Sequence, residues 1–279
     1  MSILQSIILG IIQGITEFLP ISSSGHLVIL PYFFSWDYIP LYFTVTVHFG
    51  TLLAVVSVFY KDIARIIKGF FLGLFIKEER KSPDFKLSLF IILGTIPAAV
   101  IGFLAEDYAE KLFSSPLMVA AFLLVTALLL WTSEIGGRHM EKNAGGHKKL
   151  SFPIALVVGL GQALAIFPGI SRSGATISSA RYFGINRKKA VRFSFLLSVP
   201  VILGSFIFAI FSEWAEIFSG GRIVLVNLLV GLIFSFIAGY FAIKFLLNMV
   251  SKKNLNVFAI YCTALSVIIF AFYFITKLF

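Results

Sequence analysis

The sequence predicts an all-α, polytopic membrane protein: six transmembrane helices plus two re-entrant helical hairpins in an inverted-topology repeat. Three observations carry that expectation. Only 13% of the 279 residues are charged and 59% are hydrophobic, with a mean hydropathy of +0.98, whereas soluble domains carry about 25% charge. The chain offers apolar runs of the roughly 20 residues that cross a bilayer. One polar stretch, residues 13–26 (QGITEFLPISSSGH), returns in altered form at residues 162–174 (QALAIFPGISRSG).

In chain order, residues 3–34 are apolar but broken at Pro20 and at Ser22–Gly25. The pieces 3–17 and 24–34 are each too short to span, so they read as a re-entrant hairpin turning at Leu19–Ser24; one kinked spanning helix is the alternative. Irregular backbone at that depth survives only where protein or water covers it. Residues 41–60 read as a span, 61–86 as a basic loop, 87–105 as a span kinked at Pro97, and 106–115 as a loop made acidic by Glu106, Asp107 and Glu110. Residues 116–133 form a third span, and the Gly- and Lys-rich segment 134–151 divides the halves. The pattern then repeats: a broken hairpin at 152–167 and 174–184, and spans at 190–211, 223–247 and 255–276. This is one membrane domain with halves near 1–135 and 150–279 joined by a linker at 136–149.

At an offset of 149 the two polar stretches match at Gly10/Gly159, Gln13/Gln162, Phe18/Phe167, Ile21/Ile170, Ser22/Ser171, Ser24/Ser173 and Gly25/Gly174. Weaker matches follow in the spans: Phe43, Thr44 and Ala54 with Phe193, Ser194 and Gly204, and Gly94 and Gly102 with Gly231 and Gly239. A hairpin returns to its own side and three crossings is an odd number, so the halves insert with opposite orientation. Charge gives an independent test. With loop 61–86 inside, the segments 61–86, 134–192 and 244–253 hold 20 of the 23 Lys and Arg, leaving Lys111, Arg222 and Lys277 outside. Both termini then lie outside, and the polar turns dip in from opposite faces to meet near mid-membrane, the plan of inverted-repeat membrane proteins.

The net charge of +10 is accounted for by topology and anionic lipid headgroups. A basic face with stacking aromatics on a soluble surface is missing, which argues against nucleic-acid binding. No Lys or Arg precedes Lys61, which argues against a cleaved signal peptide. Cys262 is alone and reads as a core thiol.

Each turn opens a short helix, and a helix N-terminus offers free N–H groups and partial positive charge to an anion. The cradle residues are Ser22, Ser24 and Gly25 in the first turn and Gly169, Ser171, Ser173, Gly174 and Thr176 in the second. Arg172 adds a fork suited to phosphate oxygens. Glu17 beside such a cradle implies a divalent cation, with Gln13 one helical turn away as a second oxygen ligand; Mg²⁺ or Ca²⁺ suits oxygen donors. A plain Glu17–Arg172 ion pair holding the halves together is the structural alternative. Ser23 and His26, three residues apart, suggest a nucleophile with an acid–base partner. His48 reads as a satisfied buried histidine that could instead face the same cavity.

These runs resemble the undecaprenyl-diphosphatase family, also called bacitracin-resistance proteins. Its first motif, E/Q-x-x-x-E followed by F-L-P-[IV]-S-S-[ST]-G-H, corresponds to Gln13–His26, and its second, P-G-x-S-R-S-G-A-T, to Pro168–Thr176. The one variation is Gln13, where many members have glutamate. The resemblance implies hydrolysis of undecaprenyl diphosphate to undecaprenyl phosphate and inorganic phosphate, which recycles the lipid carrier for cell-wall synthesis and confers bacitracin resistance. It implies a divalent cation and a site open to the outer face of the bacterial cytoplasmic membrane. In the expected mechanism Ser23 attacks the terminal phosphorus while His26 or Glu17 takes its proton; attack by His26 or by water is the alternative. A flippase or transporter of an anionic polyprenyl lipid is the rival function, and a membrane scaffold a third. The partners expected are the lipid substrate and membrane lipid, with a homodimer left open.

Overall fold

The computed structural model describes residues 1–37, 39–105, 115–143, 148–213, 217 and 221–278. Among the described residues there are ten α-helices and no strand: α1 (Ile3–Phe18), α2 (Ser23–Phe34), α3 (Leu41–Phe75), α4 (Pro83–Leu104), α5 (Pro116–Asn143), α6 (Phe152–Ala163), α7 (Arg172–Tyr182), α8 (Arg187–Ser212), α9 (Gly221–Lys252) and α10 (Asn256–Leu278). Helices α3, α4, α5, α8, α9 and α10 are long and apolar enough to cross a membrane. The protein is a multi-pass membrane protein. The acidic loop residues Glu106, Asp107 and Glu110, and linker residues 144–147, lie outside the described residues.

The two broken segments are present as pairs of short helices. At 1.5 Å per residue, the 16 residues of α1 and the 12 of α2 fall short of a hydrocarbon layer about 30 Å thick. The same holds for α6 and α7, of 12 and 11 residues. A capping box starts α1: Gln5 N–H donates to Ser2 Oγ and Ser2 N–H to Gln5 Oε1. Ser22 and Ser171 cap α2 and α7 through the N–H groups of Gly25 and Gly174.

Two segments read as loops are largely helical. The run 61–75 continues α3 beyond a kink at Phe59. Its lysines and arginines mask an apolar stripe in which Ile66, Gly69 and Gly73 are buried. Arg80 then ties the chain back by donating to the Gly73 carbonyl. Likewise α5 continues to Asn143, because Glu134 and Glu141 on its last turns are held by arginines of the second half.

Close packing depends on glycine at two equivalent crossings. Against α9, a Cβ on Gly10 would stand 2.7 Å from the Gly231 carbonyl oxygen; against α4, a Cβ on Gly159 would stand 2.6 Å from that of Gly94. Gly10 corresponds to Gly159 in the repeat, and Gly231 to Gly94. Thus α1 packs against α9 and α6 against α4, each a short helix against a long one far away in the chain. Phe18 is fully buried and edge-on to Phe195 at 5.2 Å. The outer surface is apolar, with Phe103, Phe211 and Ile223 each more than 70% exposed, as a lipid-facing surface requires.

Candidate active site

The last two turns of α1 place Gln13 and Glu17 four residues apart on its buried face, and Gln13 Nε2 donates to Glu17 Oε2 at 3.0 Å. The chain then turns at Leu19–Ser22. Ser22 has φ +68°, a left-handed conformation unusual for a residue with a side chain. This reversal brings Ser23, the first residue of α2, back over α1, where its hydroxyl donates to Glu17 Oε2 at 2.6 Å.

The second turn is built alike. Gly169 takes φ +104°, and its carbonyl accepts from Thr126 of α5, whose Oγ1 in turn accepts from Ser171 N–H. The Ser22–Ser24 hydroxyl pair of the first turn (3.2 Å) has its counterpart in Ser171–Ser173 (3.1 Å). The turns meet: Ser173 Oγ donates to the Leu19 carbonyl, and a Cβ on Gly25 would lie 3.4 Å from Gly169 Cα. Arg172 crosses the junction and donates from Nη2 to Glu17 Oε1 at 2.8 Å and from Nη1 to the Ser194 carbonyl at 3.3 Å.

Glu17, 5% exposed, is therefore the hub. One carboxylate oxygen faces Arg172; the other faces Ser23 and Gln13, with His48 Nε2 at 3.5 Å. The caps occupy the N–H groups of Gly25 and Gly174, which leaves the first-turn N–H groups of Ser23, Ser24, Arg172 and Ser173 for a ligand. Of the residues expected at the site, Gln13, Glu17, Ser23 and Arg172 come together, and Ser22, Ser24, Gly25, Gly169, Ser171, Ser173 and Gly174 frame them. Two are turned elsewhere. Thr176 Oγ1 bonds the Arg172 carbonyl and Ser194 Oγ. Both ring nitrogens of His26 are engaged away from Ser23, Nδ1 with the Ser22 carbonyl at 2.7 Å and Nε2 with Tyr261 OH at 2.8 Å.

Sequence reasoning missed Thr126, Ser194 and Tyr261 as site residues, and for His48 it preferred a satisfied buried histidine to the cavity-facing alternative that its 3.5 Å approach to Glu17 favours. The available signal was their polarity inside apolar spans, and for Ser194 its alignment with Thr44, whose carbonyl holds His48 Nδ1. The residues present could hold a divalent cation: Gln13 Oε1 is buried without a hydrogen-bond partner, on the same amide whose Nε2 donates to the Glu17 carboxylate. No cluster of three His, Cys, Asp or Glu exists among the described residues. Such a site supplies a few oxygen donors and leaves other positions to water or phosphate, the habit of Mg²⁺ or Ca²⁺ rather than Zn²⁺.

Known proteins match nearly the whole chain. Residues 6–268 match the family model described as bacitracin resistance protein BacA. The undecaprenyl-diphosphatase of Methanosphaera stadtmanae is 43% identical over 277 residues, covering 96% of this chain and 97% of that one. That of Korarchaeum cryptofilum is 44% identical over 274 residues, covering 96% and 98%. Undecaprenyl-diphosphatase 1 of Shouchella clausii is 38% identical over 275 residues, covering 98% and 97%. With a family match and relatives of this extent, the chain belongs to the bacitracin resistance protein BacA family.

Proposed function

We propose that this protein hydrolyses undecaprenyl diphosphate to undecaprenyl phosphate and inorganic phosphate, recycling the lipid carrier for cell-wall synthesis and conferring bacitracin resistance. The observation that carries the reading is the Ser23–Glu17–Arg172 constellation between two helix N-termini: a hydroxyl already donating to a buried carboxylate, beside a guanidinium from the other half. In this mechanism Ser23 Oγ attacks the terminal phosphorus and gives its proton to Glu17. The bond from that phosphorus to the bridging oxygen breaks, and undecaprenyl phosphate leaves. Water then attacks the phosphoserine, releasing phosphate and restoring the hydroxyl. Arg172 and the first-turn N–H groups hold the charge that develops on the transferred group. A divalent cation held by Glu17 and Gln13 would neutralise charge on the diphosphate when bound. Glu17, not His26, is the proton acceptor within reach of Ser23.

In this reading the chain sits in the cytoplasmic membrane, and the α1–α2 hairpin enters from the outer face and α6–α7 from the inner. The distribution of charge supports that orientation. Asp62 pairs with Arg65 and Arg192, and Glu134 with Arg187, so the basic segments gather at one end of the bundle. The equivalent glycine crossings support the two inverted halves. Interlocked halves also suit a carrier of anionic polyprenyl lipid, and detergent solution, which abolishes any gradient, separates the two activities. The test is phosphate release from a long-chain polyprenyl diphosphate by purified protein, for wild type and Arg172→Ala. Release by wild type and its loss in the variant support the phosphatase; no release by folded wild type removes it in favour of the carrier.

A further inference from the structure

We infer that Tyr261, on α10, is a positioning residue for Ser23, acting through a neutral His26 that clamps the first turn rather than exchanging protons; the inference rests on the phosphatase reading above. The hydrogen-bond pattern dictates the state of the imidazole. The Ser22 carbonyl can only accept, and it takes both the His26 backbone N–H, at 3.2 Å, and His26 Nδ1, at 2.7 Å. Nδ1 therefore carries the hydrogen. The ring is 5% exposed, and no carboxylate of the described residues pairs with it. It is neutral, so Nε2 is bare and accepts from the Tyr261 hydroxyl at 2.8 Å. The rings lie nearly parallel, at 11° with centroids 5.8 Å apart. On the next residue of α10, Cys262 Sγ reaches the Pro20 carbonyl, so one turn of α10 grips this turn at two points.

The grip matters because of where the clamped oxygen sits. Ser22 is in a left-handed conformation that persists only when its surroundings over-determine it. Its carbonyl belongs to the same planar trans peptide as the Ser23 N–H, and in such a peptide the two point in opposite directions. Holding the oxygen toward His26 aims the Ser23 N–H the other way and sets the direction in which α2 starts. That direction carries Ser23 Oγ to within 2.6 Å of Glu17. Tyr261 thus acts on neither substrate nor transferred proton; it buttresses the imidazole in the Nδ1–H tautomer that the Ser22 carbonyl sets.

The test compares Tyr261→Phe, His26→Ala, His26→Asn and the double variant Tyr261→Phe/His26→Ala in phosphate release. Loss of one neutral hydrogen bond to a clamp lowers kcat in Tyr261→Phe about three- to tenfold, with KM within about twofold. In the double variant the phenylalanine adds nothing to the loss from His26→Ala. His26→Asn keeps an N–H near the Nδ1 position and cannot exchange protons near neutral pH, so it retains clearly more activity than His26→Ala. The ¹⁵N spectrum of histidine-labelled wild type, with the His26 signal identified by its absence in His26→Asn, shows the Nδ1–H tautomer. An unchanged kcat in Tyr261→Phe, multiplicative effects in the double variant, an asparagine as inactive as alanine, or an imidazolium signal each overturn the clamp. Wild-type protein that releases no phosphate sinks the phosphatase reading instead, and the clamp's role with it.

Discussion

Replacing Glu17 with glutamine separates the chemistry of the site from its role as a fastener. The carboxylate accepts from Arg172, Ser23 and Gln13 at 2.8, 2.6 and 3.0 Å. An amide of the same shape must turn its NH₂ toward one set of donors and carries no charge. Arg172, 14% exposed at its side chain, is left facing only the Ser194 carbonyl. Removing one partner of a buried pair costs about 3–5 kcal/mol, mostly because the other charge is stranded. Glu17→Gln should therefore lower the thermal unfolding midpoint in detergent, and Glu17→Gln/Arg172→Met, which removes both charges, should recover most of that loss. Turnover behaves differently. A positioned general base contributes about 10²–10⁴ in rate, so phosphate release falls by that order in the single variant and stays lost in the double. Turnover within a few-fold of wild type in Glu17→Gln, or its return together with stability in the double variant, would show the pair to be a structural fastener and refute the assignment of Glu17 as base.

Other outcomes follow from the same geometry. Ser23→Ala abolishes release, and acid quenching of wild type during turnover traps phosphate on Ser23; an active alanine variant excludes the covalent route. Gly159→Ala forces a methyl group against the Gly94 backbone and costs about 1–3 kcal/mol as overpacking. Gly102→Ala, with nothing within 4 Å, leaves the melting midpoint unchanged or raised. Chelation with EDTA suppresses release and added Mg²⁺ or Ca²⁺ restores it, measured against Na⁺ at equal ionic strength.

What could be read from the chain beforehand tracks how local the physics was. The short helices follow from Pro20, Gly169 and the serine runs, which break an apolar segment wherever it folds. The Glu17–Arg172 pair was legible only as the alternative to a cation site: at the offset of 149 Glu17 stands opposite Ile166 and Arg172 opposite Ser23, so each is the lone charge of its copy, and a lone buried charge needs its opposite. The helical run 61–75 was illegible for the converse reason: its charges are dense, and its apolar stripe has meaning only against Phe85, which packs closely on Gly73. The orientation of His26 lay beyond sequence altogether. Three-residue spacing puts Ser23 and His26 near one another on a helix, but the imidazole follows the Ser22 carbonyl and a hydroxyl 235 residues away.

The difference between the two copies sets the charge that the proposed cation would balance. A symmetric pair of turns would bury two glutamates or two arginines against each other, which a low-dielectric interior penalises heavily. With one acid and one base the empty site is neutral. A bound diphosphate brings two or three further negative charges, while two helix N-termini return about half a positive charge each. Arg172 is already counted against Glu17, so turning it toward the phosphates leaves the net charge of the site unchanged. A single divalent cation would cover the deficit of one to two charges, and Gln13 Oε1, buried without a hydrogen-bond partner, is the oxygen we propose would meet it. On this count Gln13→Leu, which removes that oxygen without altering any charge, should raise the Mg²⁺ concentration needed for half-maximal release while leaving the fold intact. An unchanged metal requirement would place the cation elsewhere.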